Sequence, residues 1–208
     1  MTTRDDSATS NQVLDITCTT DVPLQTVFDA WTRSESMNWW APREFTCVSA
    51  EMQPRPGGRW QVRMRDPDGG DHVESGAVVE CVPAQRLVLT HAWNAADGSR
   101  GHETTITIGF EREDEKTRVT FRQGTFESTR ARDLHGEGWI SALGVLADHL
   151  GTHLSVGTLG RPGAAGELLS YARPFFHVVC AHLTAQQSRE PSRSEPGHVA
   201  ANSAKETR

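Results

Sequence analysis

Three side chains of this sequence stand where they can do chemistry. His91 lies two positions from both Leu89 and Trp93 in a run that alternates like a strand, so its imidazole shares their apolar face. An imidazole there can orient a ligand or act as a general base; a core or rim histidine with satisfied hydrogen bonds is the other reading. Glu80 shares strand parity with Val78 and is a candidate inward carboxylate. A buried carboxylate calls for a partner such as Arg86 or a histidine, and a purely structural ion pair is the alternative. His135 stands one helical turn before Trp139 and either faces the same site or lies on an exposed first turn.

Other reactive types point away from catalysis. His149 and His153 stand at i and i+4, a spacing that zinc sites use, but no HExxH occurs and a third ligand would have to come from elsewhere, so no metal site is expected. The four cysteines, Cys18, Cys47, Cys81 and Cys180, form no CxxC pair; the first three sit in apolar or β-rich runs and read as small buried hydrophobes in a reduced compartment. There is no GxSxG, and neither Gly57-Gly58 nor Gly69-Gly70 lies at a strand-to-helix junction where phosphate would be cradled. No catalytic residue is assigned and no cofactor is expected.

The elements that must position these groups follow from periodicity. Residues 13–19 read as a first strand. Asp21 is placed to cap a helix with Pro23 near its first turn, and Val27, Phe28 and Trp31 follow helical spacing. Residues 34–40 read as a second short helix that stops near Pro42. Six alternating strands are predicted at 45–52, 59–65, 72–82, 86–93, 103–111 and 117–123, with strong turn chemistry at Asp66-Pro67-Asp68-Gly69-Gly70. A long helix runs from about residue 128 or 132 to 153, with Trp139, Leu143, Leu146 and Leu150 on one stripe. The order is that of an α+β fold in which an antiparallel sheet is covered by one long helix.

Parity then gives the wall between sheet and helix. Trp60, Val62 and Met64 share a face, as do Val78 and Glu80, Leu87, Leu89, His91 and Trp93, Ile106, Ile108 and Phe110, and Val119 and Phe121; Trp139, Leu143 and Leu146 approach from the helix. These side chains either fill a core or line an aromatic small-molecule pocket with a few polar groups.

The chain has 208 residues, 23% of them charged, and a net charge of −6, which disfavours a nucleic-acid partner. Arg59, Arg63 and Arg65 alternate along one strand face and read as solvated rather than as an anion site. No run approaches the roughly 20 apolar residues that a membrane span needs. The polar first residues carry no signal segment, so a cytoplasmic location is expected. Residues 1–12 read as a disordered leader. After 154, Gly157, Gly160, Pro162, Gly163 and Gly166 suggest a linker within 155–208, then a helix at 167–187 kinked by Pro174, and a disordered tail. That helix is either a lid or partner-binding element or a loosely attached extension.

The order of these motifs resembles the activator of heat-shock protein 90 ATPase homologue family, in the START-like (SRPBCC) superfamily. The residues that carry the resemblance are Trp31, Trp39-Trp40, Pro42, Gly57-Gly58-Arg59-Trp60, Gly76 with Val78 and Glu80, Pro83, Arg86-Leu87, and Gly138-Trp139 with Leu143. The likeness covers residues 13–154. It implies a helix-grip fold, a curved seven-strand antiparallel sheet wrapped around the long C-terminal helix, with an apolar cavity between them. It further implies a binder of a small hydrophobic or amphipathic molecule or lipid. Two rivals stay open. One is a cofactor-free cyclase or hydrolase that uses the cavity His and Glu. The other is a protein-interaction module in chaperone or stress regulation, which expects an exposed apolar patch around Trp39-Trp40 or Phe175-Phe176.

Overall fold

A computed structural model describes residues 12–158. All of them lie in the first of the chain's two units, Met1–Ala172. The expected leader (save Gln12), the helix at 167–187, Phe175-Phe176 and Cys180 fall outside the described residues.

The element order is β1 (Leu14–Thr20), α1 (Leu24–Thr32), a 3-10 helix (Ser34–Trp40), β2 (Thr46–Met52), β3 (Arg59–Arg65), β4 (Asp71–Val82), β5 (Arg86–Asn94), β6 (Thr104–Glu113), β7 (Lys116–Gly124), α2 (Thr129–Leu150) and β8 (Ser155–Thr158). The strands form one sheet in the order β2-β3-β4-β5-β6-β7-β1-β8, every neighbouring pair antiparallel. The architecture is the expected α+β helix-grip, with eight strands in place of seven.

The eighth strand lies in what reads as linker. Ser155-Val156-Gly157-Thr158 carries one bulky apolar side chain and a glycine, too little for a strand pattern. Its partner supplies what its own residues lack: Ile16 pairs with Thr158 and Cys18 with Val156, so β8 extends the free edge of β1.

Alternation sets the sheet's two faces. In β3, Trp60, Val62 and Met64 are buried while Arg59, Gln61, Arg63 and Arg65 are exposed. The turn into β4 closes on Asp66, whose Oδ1 accepts from Gly70 N at 2.8 Å; Gly69 sits at φ +89°, where a side chain would be strained. Gly76 is required for another reason. The Trp60 indole passes over it to donate to Thr90 O at 2.9 Å, and a Cβ on Gly76 would lie 1.8 Å from that carbonyl oxygen.

The helices differ from expectation at their ends. Asp21 does not cap α1: the N-cap is Pro23, with no side-chain cap bond, and Asp21 lies 3.8 Å from Lys116 instead. Helix α2 is capped by Ser128, whose hydroxyl accepts from Ala131 N at 3.1 Å. It stops at Leu150, three residues before the expected end, because Gly151 turns left-handed at φ +64° and Thr152 N bonds back to Ala147 O. His153 is therefore beyond the helix, and the i, i+4 pair with His149 does not share a helical face. Trp139, Leu143 and Leu146 of α2 are buried in one core with the inward side chains of the sheet.

Candidate functional site

The core beneath α2 is aromatic. Trp139 meets Phe121 at a ring-centroid distance of 4.6 Å, Trp40 at 5.3 Å and Trp31 at 6.2 Å. Trp40 in turn meets Trp60 at 5.1 Å, and Trp60 stacks on His91 at 5.8 Å with 27° between the planes. From His91 the row continues to Trp93 at 6.0 Å and His135 at 5.7 Å, and His135 meets Phe126 at 4.8 Å. The rings run without a break from the fully buried Trp31 to the half-buried Trp93 and His135.

Where the row passes His91 it carries a buried polar chain. Trp139 can only donate, so its indole N–H, 2.7 Å from Gln123 Oε1, fixes that amide's orientation. The Gln123 NH2 group then faces Thr104 Oγ1 at 3.0 Å and His91 Nδ1 at 3.3 Å. His91 Nδ1 is thus an acceptor, and the proton of the neutral ring sits on Nε2, donating to Glu74 Oε2 at 3.0 Å. His91 and Glu74 are buried, with side chains only 2% and 6% exposed. At the outer end, Trp93 donates to His135 Nε2 at 3.1 Å, so His135 holds its proton on Nδ1 and gives it to Ala131 O at 2.8 Å.

The structure brings most of the expected wall together. Trp60, Val62, Met64, Val78, Leu89, His91, Ile108, Phe110, Phe121, Trp139, Leu143 and Leu146 are all buried in this core, and Trp93 is half-buried at its end. His135 joins them through Trp93. Glu80 does not. A bulge between Val78 and Glu80 shifts the register, so Val78 pairs with Leu89 but Glu80 with Val88, and Glu80 leaves the inward face. Its carboxylate, 43% exposed, pairs with Arg86 Nε at 3.1 Å. The inward carboxylate is Glu74, which shares parity with Val78 on the near side of the bulge; Gln123 likewise continues the parity of Val119 and Phe121. The exposed patch expected at Trp39-Trp40 is absent: the two rings are 0% and 2% exposed.

Among the described residues the thiols Cys18, Cys47 and Cys81 hold no poised nucleophile. Burial pushes the Cys18 pKa up to about 12, and burial also raises Cys47, helped by the Glu74 charge, and Cys81. Among the described residues no group of three or more His, Cys, Asp or Glu is arranged to hold a metal ion, and no helix is long and apolar enough to cross a membrane.

Residues 21–151 match the model of a family described as Activator of Hsp90 ATPase homolog 1-like protein. No curated protein matches the chain. Among solved structures, the chain is similar to an AHSA1 protein from Silicibacter pomeroyi at 22% identity and a TM-score of 0.62, over 67% of this chain and 97% of that one. A protein from Arthrobacter aurescens is similar at 19% identity and a TM-score of 0.63, over 82% and 99%. A protein from Chromobacterium violaceum matches at 20% identity and a TM-score of 0.61, over 67% and 96%. At these identities the likeness establishes a shared fold.

Proposed function

This chain belongs to the Activator of Hsp90 ATPase homolog 1-like family, and from that premise we propose that it binds a small apolar or amphipathic molecule between its sheet and α2. The observation that carries the reading is the buried pair His91–Glu74, continued through Gln123 to Trp139. A polar chain in an aromatic core is a poor way to gain stability. Desolvating the pair costs several kcal/mol, and well-packed apolar residues would serve the core as well or better. Its use is to hold Glu74 in place, since a carboxylate that accepts one bond from His91 keeps lone pairs for the polar part of a ligand whose apolar body lies against the rings. Burial of that body supplies affinity at about 25 cal/mol per Å² removed from water. Trp93 and His135, the half-buried end of the aromatic row, are the natural point of entry.

The geometry favours binding over catalysis. A general base needs a free lone pair facing its substrate. Here His91 Nδ1 is engaged by Gln123 and its Nε2 by Glu74. The enzyme reading keeps one prediction of its own, that His91→Ala abolishes a turnover while the fold persists. The interaction reading loses its Trp39-Trp40 patch to burial.

Native mass spectrometry of the protein purified from its own host tests the proposal. A stoichiometric co-purifying small molecule is the expected result. A clean apo mass, with no tryptophan fluorescence response to a panel of lipids and aromatic ketones, would sink it.

A further inference from the structure

What each histidine nitrogen faces decides what a proton does to it. His72 Nε2 lies 2.7 Å from Asp66 Oδ2, and His102 Nε2 lies 2.7 Å from Thr125 O. A carboxylate and a carbonyl accept, so both contacts survive protonation of the ring, and the first gains from it. His135 is built the other way. Its Nε2 lies 3.1 Å from the indole nitrogen of Trp93, a group that can only donate. Its Nδ1 lies 2.8 Å from Ala131 O, a group that can only accept. The ring is therefore neutral with its proton on Nδ1, and its lone pair is committed to Trp93. A second proton can go only to Nε2. There it meets the indole N–H head on, two donors with no acceptor between them, and the bond is lost.

His91 also accepts from a donor, the Gln123 NH2 group, but its side chain is only 2% exposed. Trp93 and His135 are both half-buried, where water can deliver a proton. Their bond joins two elements, the end of β5 and the second turn of α2. Phe126, itself buried, packs on the same imidazole at a centroid distance of 4.8 Å.

The ionisable groups around His135 come from several elements. From β5 it meets His91, with ring centroids 5.7 Å apart, and the Glu74 carboxylate lies behind that ring at its Nε2. On α2, Arg132 stands one turn earlier on the same face and is tied to Asp133 at 2.7 Å. Asp133 and Glu137 are two residues away on either side, a spacing at which helical side chains diverge. The flanking loops bring His102, held on Thr125 O, and Glu127, the neighbour of Phe126. The N-terminal end of α2 itself disfavours a cation. Neutral His135 is thus the resting form, and acid is what changes it.

We propose that Trp93 and His135 form a pH-operated latch between β5 and α2, closed while His135 is neutral and released when Nε2 takes a proton. The bond and the proton compete for one lone pair, so the tie is present at higher pH and is lost as the pH falls. Release loosens the half-buried end of the aromatic row and leaves the bonds deeper in the core in place. The latch is a property of the protein alone and does not depend on the ligand-binding reading.

The full chain, carrying nitrogen-15 in its tryptophan indoles, is titrated by NMR from pH of about 8 to about 5. Trp93→Phe assigns the Trp93 resonance by its loss. In the wild-type protein that indole N–H should move upfield, in step with the ring-proton shifts of His135. Trp39 and Trp60 donate to the backbone carbonyls Ala30 O and Thr90 O, so their resonances should stay in place and report that the fold persists. In His135→Gln, whose amide oxygen can still accept from Trp93 but does not titrate, the movement should vanish. A Trp93 resonance that stays in place while His135 titrates overturns the proposal. So does a His135 that remains neutral until all the indole resonances collapse together, or a movement that persists in His135→Gln. Each of these outcomes leaves the ligand-binding reading untouched.

Discussion

Trp139 donates its indole N–H to Gln123 Oε1 at 2.7 Å, and that bond sets the direction of every hydrogen bond behind it. Because an indole cannot accept, Gln123 must turn its NH2 toward His91 and Thr104, and His91 must then carry its neutral proton on Nε2, facing Glu74. The helix thus selects, through one side chain of β7, the tautomer of a histidine on β5.

Gln123→Glu tests that selection. The carboxylate still accepts from Trp139 but has no hydrogen for His91 Nδ1. The imidazole is expected to place a proton on Nδ1, and the ring-nitrogen NMR shifts of His91 should move from the Nε2–H pattern. An unchanged tautomer would mean that Glu74 alone orients the ring. Gln123→Leu should cost about 1–3 kcal/mol of unfolding free energy, read by urea denaturation, because it strands the Trp139 donor in the core.

Glu74→Leu leaves the buried N–H of His91 without its acceptor and should destabilise the fold by about 1–3 kcal/mol. Adding His91→Leu should recover most of that loss while weakening binding of any amphipathic ligand. Chemical denaturation of the two singles and the double closes the cycle. If the double is as unstable as the worse single, the pair is a structural necessity and the argument for a ligand-facing role fails.

Gly76→Ala should cost about 3 kcal/mol or more, at the upper end of what overpacking does. The added Cβ would lie 1.8 Å from Thr90 O and 2.6 Å from Trp60 Nε1. Shrinking the indole in a Trp60→Phe background cannot relieve the clash, since its nearer partner is backbone. A thermal melt of the single and double variants checks this, and rescue by Trp60→Phe would show that the side chain sets the constraint.

Much of this arrangement is legible in the sequence, for identifiable reasons. Where a strand alternates cleanly, as in Trp60-Gln61-Val62-Arg63-Met64, parity alone assigns each side chain to its face, and burial follows it. His91 falls on the inward face by the same rule. The rule fails at Glu80 because a bulge is one inserted residue with no strong residue-type signature, and past it parity inverts. Glu74 obeys the parity that misplaces Glu80, so the dyad was half visible. Residues Ser155–Thr158 were not visible as a strand, since their pairing comes from the edge of β1 and not from their own pattern. The interaction reading expects Trp39-Trp40 on the surface, because the sequence pattern does not show what would cover two adjacent indoles. A 3-10 turn bounded by the β-region Ala41 buries both, one against Trp31 and the other against Trp60 and Trp139.

Cys18 gives a pH dependence whose sign is fixed by burial. Its thiol sits 3% exposed on β1, and desolvation of the thiolate raises the folded-state pKa to about 12. In the unfolded chain the thiol ionises near about 8.5. Below that value both states hold the proton and Cys18 adds no pH dependence. Between the two values the unfolded state has lost it and the folded state has not, so stability falls as pH rises through this window. The limiting slope for one proton is about 1.4 kcal/mol per pH unit. Cys18→Val keeps a buried apolar strand residue and removes the titration. The difference in unfolding free energy between wild type and this variant should be flat below pH of about 8 and should tilt against the wild type above about 9. Parallel curves across that range would mean that the folded thiol ionises as easily as the unfolded one, and that solvent reaches a position the structure buries.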